Sequence, residues 1–404
     1  MGATLRNETA LLLHLVRGDE PDPEPFEVSL HSIDWSLLRT VASRHGLILL
    51  LNRRLQTFTP SFVPTAFLNE LSSHCQSLVR RNLALSAELL VVLDLFCRRG
   101  IDAMPFKGPV LSAALYGGPL YRAYADLDIL VRDTHLESAQ DVLKSRGYRS
   151  REQLSATHQR VWDAAAGVSS MIHVTRNLTL ELHCRLAPRQ FGFALGFDHI
   201  WSRRMPVRCF ERTLYTFSDE ISLVFLCAHG GKHLWERLEW IYGVSELIRH
   251  WPTLDWEEVL RLATTLGYRR ALHIGMILAL QLFHTPCPKD ILAEFAEDTN
   301  GGRLARILQE HLYERAGPHS ALEYFAAYQL LRERWRDKAR LLLILVAPGI
   351  RDMELFRLPK CLFWLYPLFR GIRLSYRYLI HAHLVRLVNA LSAFQLTFQN
   401  KSRV

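Results

Sequence analysis

Two aspartates one residue apart interrupt an apolar run. The segment YRAYADLDILV, residues 121–131, carries Asp126 and Asp128 beside Leu127, Ile129 and Val131. Side chains alternate between the two faces of a β-strand, so this spacing predicts both carboxylates on one face and the apolar side chains in the core. Neighbouring like charges repel, and burial adds to the cost unless a divalent cation lies between them. Because Mg²⁺ binds carboxylate oxygens together with substrate phosphates, the pair predicts a metal site for phosphoryl chemistry.

A third acid follows in the segment LTLELHCRL, residues 178–186. The same alternation places Glu181, His183 and Arg185 on one face of a strand. We therefore expect Glu181 to complete the metal site with Asp126 and Asp128, and His183 to lie on the nucleotide side of it.

A group that could hold phosphate precedes the aspartates. The segment FKGPV puts Lys107 and Gly108 in a turn that begins a helix, with Pro109 in its first turn. Glycine allows close backbone approach to a phosphate, and a helix N-terminus favours anions. Arg122 lies four residues before Asp126 and can bind a phosphate through two hydrogen bonds. These three residues are the predicted phosphate ligands.

Each of these signals also has an ordinary structural explanation. Acids on a solvated edge strand, a surface lysine at position 107 and an ion pair of Glu181 with Arg185 would need no metal. The order of the whole set favours the metal site: Lys-Gly, helix, Arg and the aspartate pair on a strand, helix, then a hairpin with Glu-x-His.

The elements that must position these residues form an α+β unit between helical regions. Apolar residues recur every three or four positions up to about residue 100 and again from Ser218. Between them the pattern predicts a strand, a helix, the Asp126 strand, a helix capped by Thr134 and ended by Gly147, and a hairpin turning at Asn177. The predicted organisation is 1–99 helical, 100–217 catalytic domain with a small mixed sheet, 218–349 helical, and 350–404 a basic aromatic tail.

At these residues the chain resembles the polymerase-β-like nucleotidyltransferase superfamily, and within it the bacterial branch described as uncharacterised nucleotidyltransferases. The matching stretches are FKGPVLSAALYGGPLYRAYADLDILVRDTHLESAQDVLKSRGY, LTLELHCRL and HGGKHLWERLEWIYGVSELI. The resemblance implies that Lys107 and Gly108 form the triphosphate turn and that Asp126, Asp128 and Glu181 hold two metals. Many members of the superfamily have Gly-Ser at the turn, where this chain has Lys-Gly.

A basic helix motif follows the predicted domain. His229 and His233 are four residues apart, with Lys232 between them. Two histidines at this spacing can bind zinc, although the glutamate of a metalloprotease motif is missing. The alternatives are a basic face, with Lys232 and His233 lining the cleft opposite the carboxylates, and a purely structural face.

The bulk composition restricts location and partners. From Leu331 to the end there are 14 Lys and Arg against 4 Asp and Glu, while the rest of the chain has 35 against 36. Seven cysteines without a CxxC pair, no secretion signal and no spanning segment indicate a cytoplasmic protein. Three interpretations of the tail are open: aromatics packed on the helical domain with arginines in solvent, contact with an anionic membrane surface, or binding of RNA or an acidic partner.

These observations predict a Mg²⁺-dependent nucleotidyltransferase, with Mn²⁺ as an alternative cofactor. An acceptor hydroxyl would attack the α-phosphate of an NTP and release pyrophosphate. The alternatives are a catalytically weak nucleotide-binding or scaffold protein of the same fold, and a transferase that uses a sugar-nucleotide donor. The acceptor, whether a small molecule, a peptide or protein, or a tRNA, is not determined by these residues.

Overall fold

A computed structural model describes residues 7–17, 33–57, 62–152, 154–250, 254–314 and 321–376. Most of this part is helical. The helices are α1 Asn7–Arg17, α2 Trp35–Arg44, α3 Ile48–Thr57, α4 Thr65–Arg98, α5 Gly108–Tyr116, α6 Leu136–Ser145, α7 Ala156–Ala166, α8 Phe197–Ser202, α9 Asp219–Lys232, α10 Leu238–His250, α11 Trp256–Leu266, α12 Arg269–Phe283, α13 Lys289–Ala293, α14 Thr299–Glu314, α15 Ala321–Leu331, α16 Trp335–Leu341, α17 Leu343–Val346, α18 Ile350–Leu355 and α19 Tyr366–Ser375. Among the described residues, no helix is both long enough and apolar enough to cross a membrane.

The strands form a small mixed sheet and a separate hairpin. They are β1 Ala103–Pro105, β2 Asp126–Val131, β3 Tyr148–Ser150, β4 Val168–His173, β5 Thr179–His183, β6 Met205–Cys209 and β7 Arg212–Thr216. The sheet has the order β1-β2-β5-β4-β3; β2 and β5 are parallel, and the other neighbours are antiparallel. Strands β6 and β7 pair only with each other. The predicted α+β class, with helical regions on both sides of a mixed sheet, is confirmed.

One face of the sheet is entirely apolar at its centre. Leu127, Ile129 and Val131 are buried together with Leu180 and Leu182 of the neighbouring strand. The cover on this face comes from α4 and α6, whose buried residues include Leu85, Leu89, Val92, Phe96, Val142 and Leu143. This packing fixes the alternation of β2 and therefore directs both aspartates to the opposite face.

The opposite face is apolar at one end and acidic at the other. Leu130 and Met104 are buried there in a second core, together with Phe106. Phe106 stacks on Phe217 at a ring-centroid distance of 5.0 Å and meets Phe225 of α9 edge-on at 5.5 Å. Helix α9 is thereby held against the same face that carries the aspartates.

Some local features differ from the sequence prediction or were not part of it. Within the first predicted helical region, the stretch Trp35–Leu55 spans two helices, because Gly46 has a φ of 74° and turns the chain between them. Thr134 does not cap α6: Asp133–His135 form a 3₁₀ turn, and His135 takes the cap position without a side-chain hydrogen bond. Strand β3 and the β6–β7 hairpin were not predicted.

The contacts divide the chain into two compact units. The first comprises residues 1–151 and 166–338 and contains the mixed sheet. The second comprises residues 152–165 and 339–404, and its described part includes α17, α18 and α19. The four-segment division made from the sequence stays a prediction, and residues 377–404 of its tail lie outside the described residues.

Candidate active site

The sheet register brings the predicted acids onto one face. In the parallel pair of β2 and β5, Asp128 lies directly opposite Glu181, and Asp126 lies opposite Thr179. Asp128 is 3% exposed, and the Glu181 side chain is 27% exposed. Parallel pairing of two short strands that are 50 residues apart in the chain is what places an acid from each strand side by side.

Asp128 is the most heavily bonded of the three carboxylates. Its Oδ1 accepts a hydrogen bond from Lys107 Nζ at 2.8 Å and a second from His183 Nε2 at 2.9 Å. His183 Nε2 also lies 3.4 Å from Glu181 Oε2. One imidazole therefore links the two carboxylates, and one ammonium neutralises the buried one.

A set of metal-binding groups results. Among the described residues, Asp128, Glu181 and His183 offer ligand atoms that all lie within 4.8 Å of one another. The predicted metal set was Asp126, Asp128 and Glu181; Asp126 shares the face but is not part of this closest group. Two carboxylates with a third nearby suit Mg²⁺ or Mn²⁺, and the histidine nitrogen favours Mn²⁺ more than Mg²⁺.

The protonation equilibria reflect this crowding. Burial and the neighbouring Asp128 carboxylate raise the pKa of Asp126, with a smaller contribution from Glu181. Burial also opposes ionisation of Asp128, but the Lys107 ammonium and His183 outweigh it and lower the pKa of Asp128. Burial would lower the pKa of His183, yet its bonds to Asp128 and Glu181 raise it. The bond from His183 lowers the pKa of Glu181. An added cation would relieve the repulsion that Asp126 experiences, so these residues fit a divalent metal.

The turn at Lys107 and Gly108 has the backbone that the sequence predicted. Lys107 is the cap residue of α5, and Gly108 begins the helix with a φ of 55°, a left-handed value that favours glycine. Gly117 ends the helix in the same left-handed region, at 72°. The predicted phosphate ligand Lys107 thus lies at a helix N-terminus, and its ammonium donates a hydrogen bond to Asp128.

Arg122 is held by a partner that the sequence did not reveal. Its Nε lies 3.8 Å from Glu239 Oε2 near the start of α10, and the two side chains are 14% and 4% exposed. Asn82 of α4 donates to the Arg122 carbonyl oxygen at 2.8 Å. The Arg122 guanidinium is near enough to Asp126 to lower its pKa, against the stronger effects of burial and Asp128.

Helix α9 brings its last turn toward the carboxylates. Burial lowers the pKa of Lys232, as does the Lys107 ammonium, while Glu181 and Asp128 act in the opposite direction. Burial, and then Lys232 and Lys107, lower the pKa of His233 to about 4. The pKa of Lys232 therefore responds to both acids and to the Lys107 ammonium, whose charge disfavours that of Lys232.

The glycines of the HGGKH motif have a packing role. A Cβ at Gly230 would collide with the ring of Trp235, which is fully buried because the chain turns back through positive φ at Leu234 and Trp235. The rings of His229 and His233 have centroids 4.7 Å apart. No third histidine, cysteine or acid joins them in the described part of the chain, so the zinc interpretation gains no support.

Sequence reasoning missed Ser170 as well as Glu239. Ser170 lies opposite Glu181 in the antiparallel pair of β4 and β5, and its buried Oγ has no hydrogen-bond partner among the described residues. A serine in a short strand carries no signal of its own. Its position beside Glu181 depends on a register that only the folded sheet defines.

The family follows from the comparison with known proteins. The model of the uncharacterised nucleotidyltransferase family matches residues 31–284. The matched range covers α2 to α12, and hence the turn at Lys107, the acids of β2 and β5 and the last turn of α9. The chain belongs to this family. No curated protein matches the chain.

Proposed function

We propose that the protein is a polymerase-β-like nucleotidyltransferase that transfers an NMP from an NTP to an acceptor hydroxyl with release of pyrophosphate. The family supports nucleotidyl transfer as the general activity. The observation that carries the finer proposal is the parallel register of β2 and β5, which puts Asp128 opposite Glu181 on the face that also bears Asp126.

The metal would be held by Asp128 and Glu181, with Asp126 or His183 completing its ligands. When bound, Mg²⁺ or Mn²⁺ supplies positive charge that offsets the charge of the phosphates and favours in-line displacement. His183 Nε2, which contacts both carboxylates, would be the nitrogen that binds the metal or a phosphate oxygen.

The phosphates would be bound by cationic side chains and neutral hydrogen-bond donors from three elements. Lys107 and the Gly108 backbone contribute from the start of α5, Arg122 from the segment before β2, and Lys232 with His233 from the end of α9. Positioning and charge neutralisation account for most of the catalysis in phosphoryl transfer, so these groups suffice without a covalent intermediate.

The test is a labelling experiment with the full chain. NTPs labelled at the α-phosphate are incubated with the protein and fractions of host cells, and the labelled acceptor is identified. Asp128→Asn and Glu181→Gln should each abolish labelling. The matched control is Asp141→Asn, since Asp141 is an exposed carboxylate paired with Lys144 on α6. Full labelling by both site variants would refute the proposal.

A second function, nucleotide binding without turnover, is favoured by one observation. Asp128 Oδ1 already accepts hydrogen bonds from Lys107 and His183, which satisfies a buried carboxylate without a metal. NTP binding without pyrophosphate release, with every acceptor fraction, would support this function instead.

A cytoplasmic location is also part of the proposed function, supported by seven cysteines that form no disulfide.

A further inference from the structure

The second compact unit exposes apolar side chains in a regular row. Trp364, Leu368, Ile372 and Tyr376 follow one another at a spacing of four through a 3₁₀ turn and α19. Their exposed fractions are 72%, 59%, 57% and 56%. A spacing of four places Leu368 and Ile372 along one side of α19, with Tyr376 directly after it, and Trp364 precedes them in the 3₁₀ turn. We call these four residues the apolar stripe.

The charges of the same helix point the other way. Arg370 and Arg373 are only 16% and 18% exposed, and both donate to the carboxylate of Asp352, which is fully buried and also accepts from the Gly349 backbone. The part of the sequence interpretation that leaves arginines in solvent is therefore wrong for Arg370 and Arg373, whereas Tyr366 of the same helix is buried, as that interpretation expects of an aromatic side chain. Helix α19 thus holds two guanidinium groups and the Tyr366 ring inside and leaves Leu368 and Ile372 outside.

Exposed basic residues accompany the stripe. Arg351, Arg357 and Lys360 are all exposed and lie in the segment that leads into α19. Helices α17 and α18 pack against α19, and the segment that contains them adds further exposed apolar side chains, namely Leu342, Leu343, Val346 and Leu355. Exposed apolar side chains concentrated in neighbouring helices indicate an interaction site.

We propose that the apolar stripe binds the surface of a membrane that contains anionic lipids. Trp and Tyr at the ends of the stripe suit the headgroup level, Leu368 and Ile372 suit the acyl boundary, and the basic residues complement anionic headgroups. The proposed contact is with the membrane surface, since among the described residues no helix is long and apolar enough to cross a bilayer.

The side chains of the stripe favour lipid over RNA as the occupant. Arg370 and Arg373 are bound to Asp352, and the exposed Arg351, Arg357 and Lys360 could meet phosphate in either ligand. The aliphatic Leu368 and Ile372 decide for lipid, because an acyl boundary buries such side chains and a nucleic acid does not. This inference does not depend on the proposed nucleotidyl transfer.

The first test is co-sedimentation of the full chain with vesicles of phosphatidylcholine alone or mixed with phosphatidylglycerol. The protein should bind the mixed vesicles. Ile372→Glu should weaken this binding roughly ten- to a hundredfold, because an apolar side chain that would be buried in the bilayer is replaced by a charged one. Leu280→Glu is the matched control: Leu280 is an exposed apolar residue of α12, 39% exposed. It should bind like the wild type. Replacing Arg351, Arg357 and Lys360 by Gln should weaken binding to the mixed vesicles about fivefold for each charge removed.

A second measurement places the stripe in the bilayer. Brominated lipids quench tryptophan fluorescence, so Trp364→Phe should lose the quenched component. The matched control is Trp335→Phe, because Trp335 is an indole that is 81% exposed and lies outside the second unit. This variant should keep the quenched component. Equal vesicle binding by Ile372→Glu and wild type would overturn the proposal. Self-association of the protein in solution that Ile372→Glu abolishes would also overturn it. Sedimentation of the protein with RNA but not with vesicles would do the same.

Discussion

The ammonium of Lys107 is bound to Asp128 Oδ1, an oxygen that the proposed metal would also use. Removing this ammonium therefore tests whether the site binds metal. Lys107 Nζ lies 2.8 Å from Asp128 Oδ1, with the two side chains 19% and 3% exposed. At this distance the attraction is about 6 kcal/mol for an effective dielectric constant of about 20, before desolvation is subtracted. Removing one partner of a buried pair costs about 3–5 kcal/mol. Because His183 stays bound to the same oxygen, we expect Lys107→Met to lower the free energy of unfolding by about 3 kcal/mol, the lower end of that range.

Metal should then reverse much of this loss. Without the ammonium, a divalent cation no longer competes for Asp128 Oδ1, so Lys107→Met should bind Mn²⁺ more tightly than the wild type. A metal at a hundred times its dissociation constant adds about 2.7 kcal/mol to stability, close to the amount lost. Labelling activity should nevertheless fall, because the variant lacks a proposed phosphate ligand.

The assay is urea unfolding in chelator and in MnCl₂, with Mn²⁺ affinity from electron paramagnetic resonance. Lys144→Met is the control, since Lys144 pairs with Asp141 on an exposed helix surface and should change stability by less than about 1 kcal/mol. Unchanged Mn²⁺ affinity in Lys107→Met, with no recovery of stability by metal, would show that Asp128 and Lys107 are only a structural ion pair.

Three further predictions concern single side chains. Asp126→Asn should abolish labelling but leave the free energy of unfolding unchanged or higher, because burial and the Asp128 carboxylate disfavour the charge of Asp126 and raise its pKa. Thermal unfolding and the labelling assay check this prediction, and normal turnover by the variant contradicts it. Lys232→Met should raise KM for the NTP about tenfold or more with a smaller change in kcat, since the loss of a phosphate ligand acts mainly on binding; an unchanged KM places Lys232 outside the nucleotide site. Glu88→Gln should lower the free energy of unfolding at neutral pH by about 2–4 kcal/mol, because Arg146 and a second arginine bind this buried carboxylate. Burial opposes its charge, but these partners lower the pKa of Glu88, so its contribution is present above the unfolded pKa and disappears as pH falls through the folded one; a difference between wild type and variant that persists in acid contradicts the assignment.

The sequence was sufficient for the strands that carry the acids. Alternation in DLDILV predicted the face of Asp126 and Asp128 correctly because the opposite residues are buried under α4 and α6. The hairpin at Asn177 followed from turn chemistry, and Asn177 does have a positive φ of 53°. These features are local, so periodicity and turn residues determine them.

Long-range partners could not be predicted from spacing. Arg122 and Glu239 are 117 positions apart and meet only because α10 packs against α5, which precedes Arg122 in the chain. The order of the sheet, with β5 inserted between β2 and β4, decides that Glu181 neighbours Asp128 and that Ser170 neighbours Glu181. The burial of Arg370 and Arg373 could not be predicted for a similar reason, because their partner Asp352 lies in another helix.

The charges of the candidate site satisfy Asp128, through Lys107 and His183, but leave Asp126 and Lys232 in unfavourable surroundings. The sheet presents three carboxylates, and the pKa of Asp126 is raised by burial and by the neighbouring Asp128 and Glu181. The facing helices present Lys107 and Lys232, and the pKa of Lys232 is lowered by burial and by the ammonium of Lys107. A bare cation would relieve the acids but increase the repulsion on the lysines, and a bare phosphate would do the opposite. A metal-bound triphosphate carries both charges at once, so the proposed substrate would lower the electrostatic free energy of the carboxylates and of the lysines together.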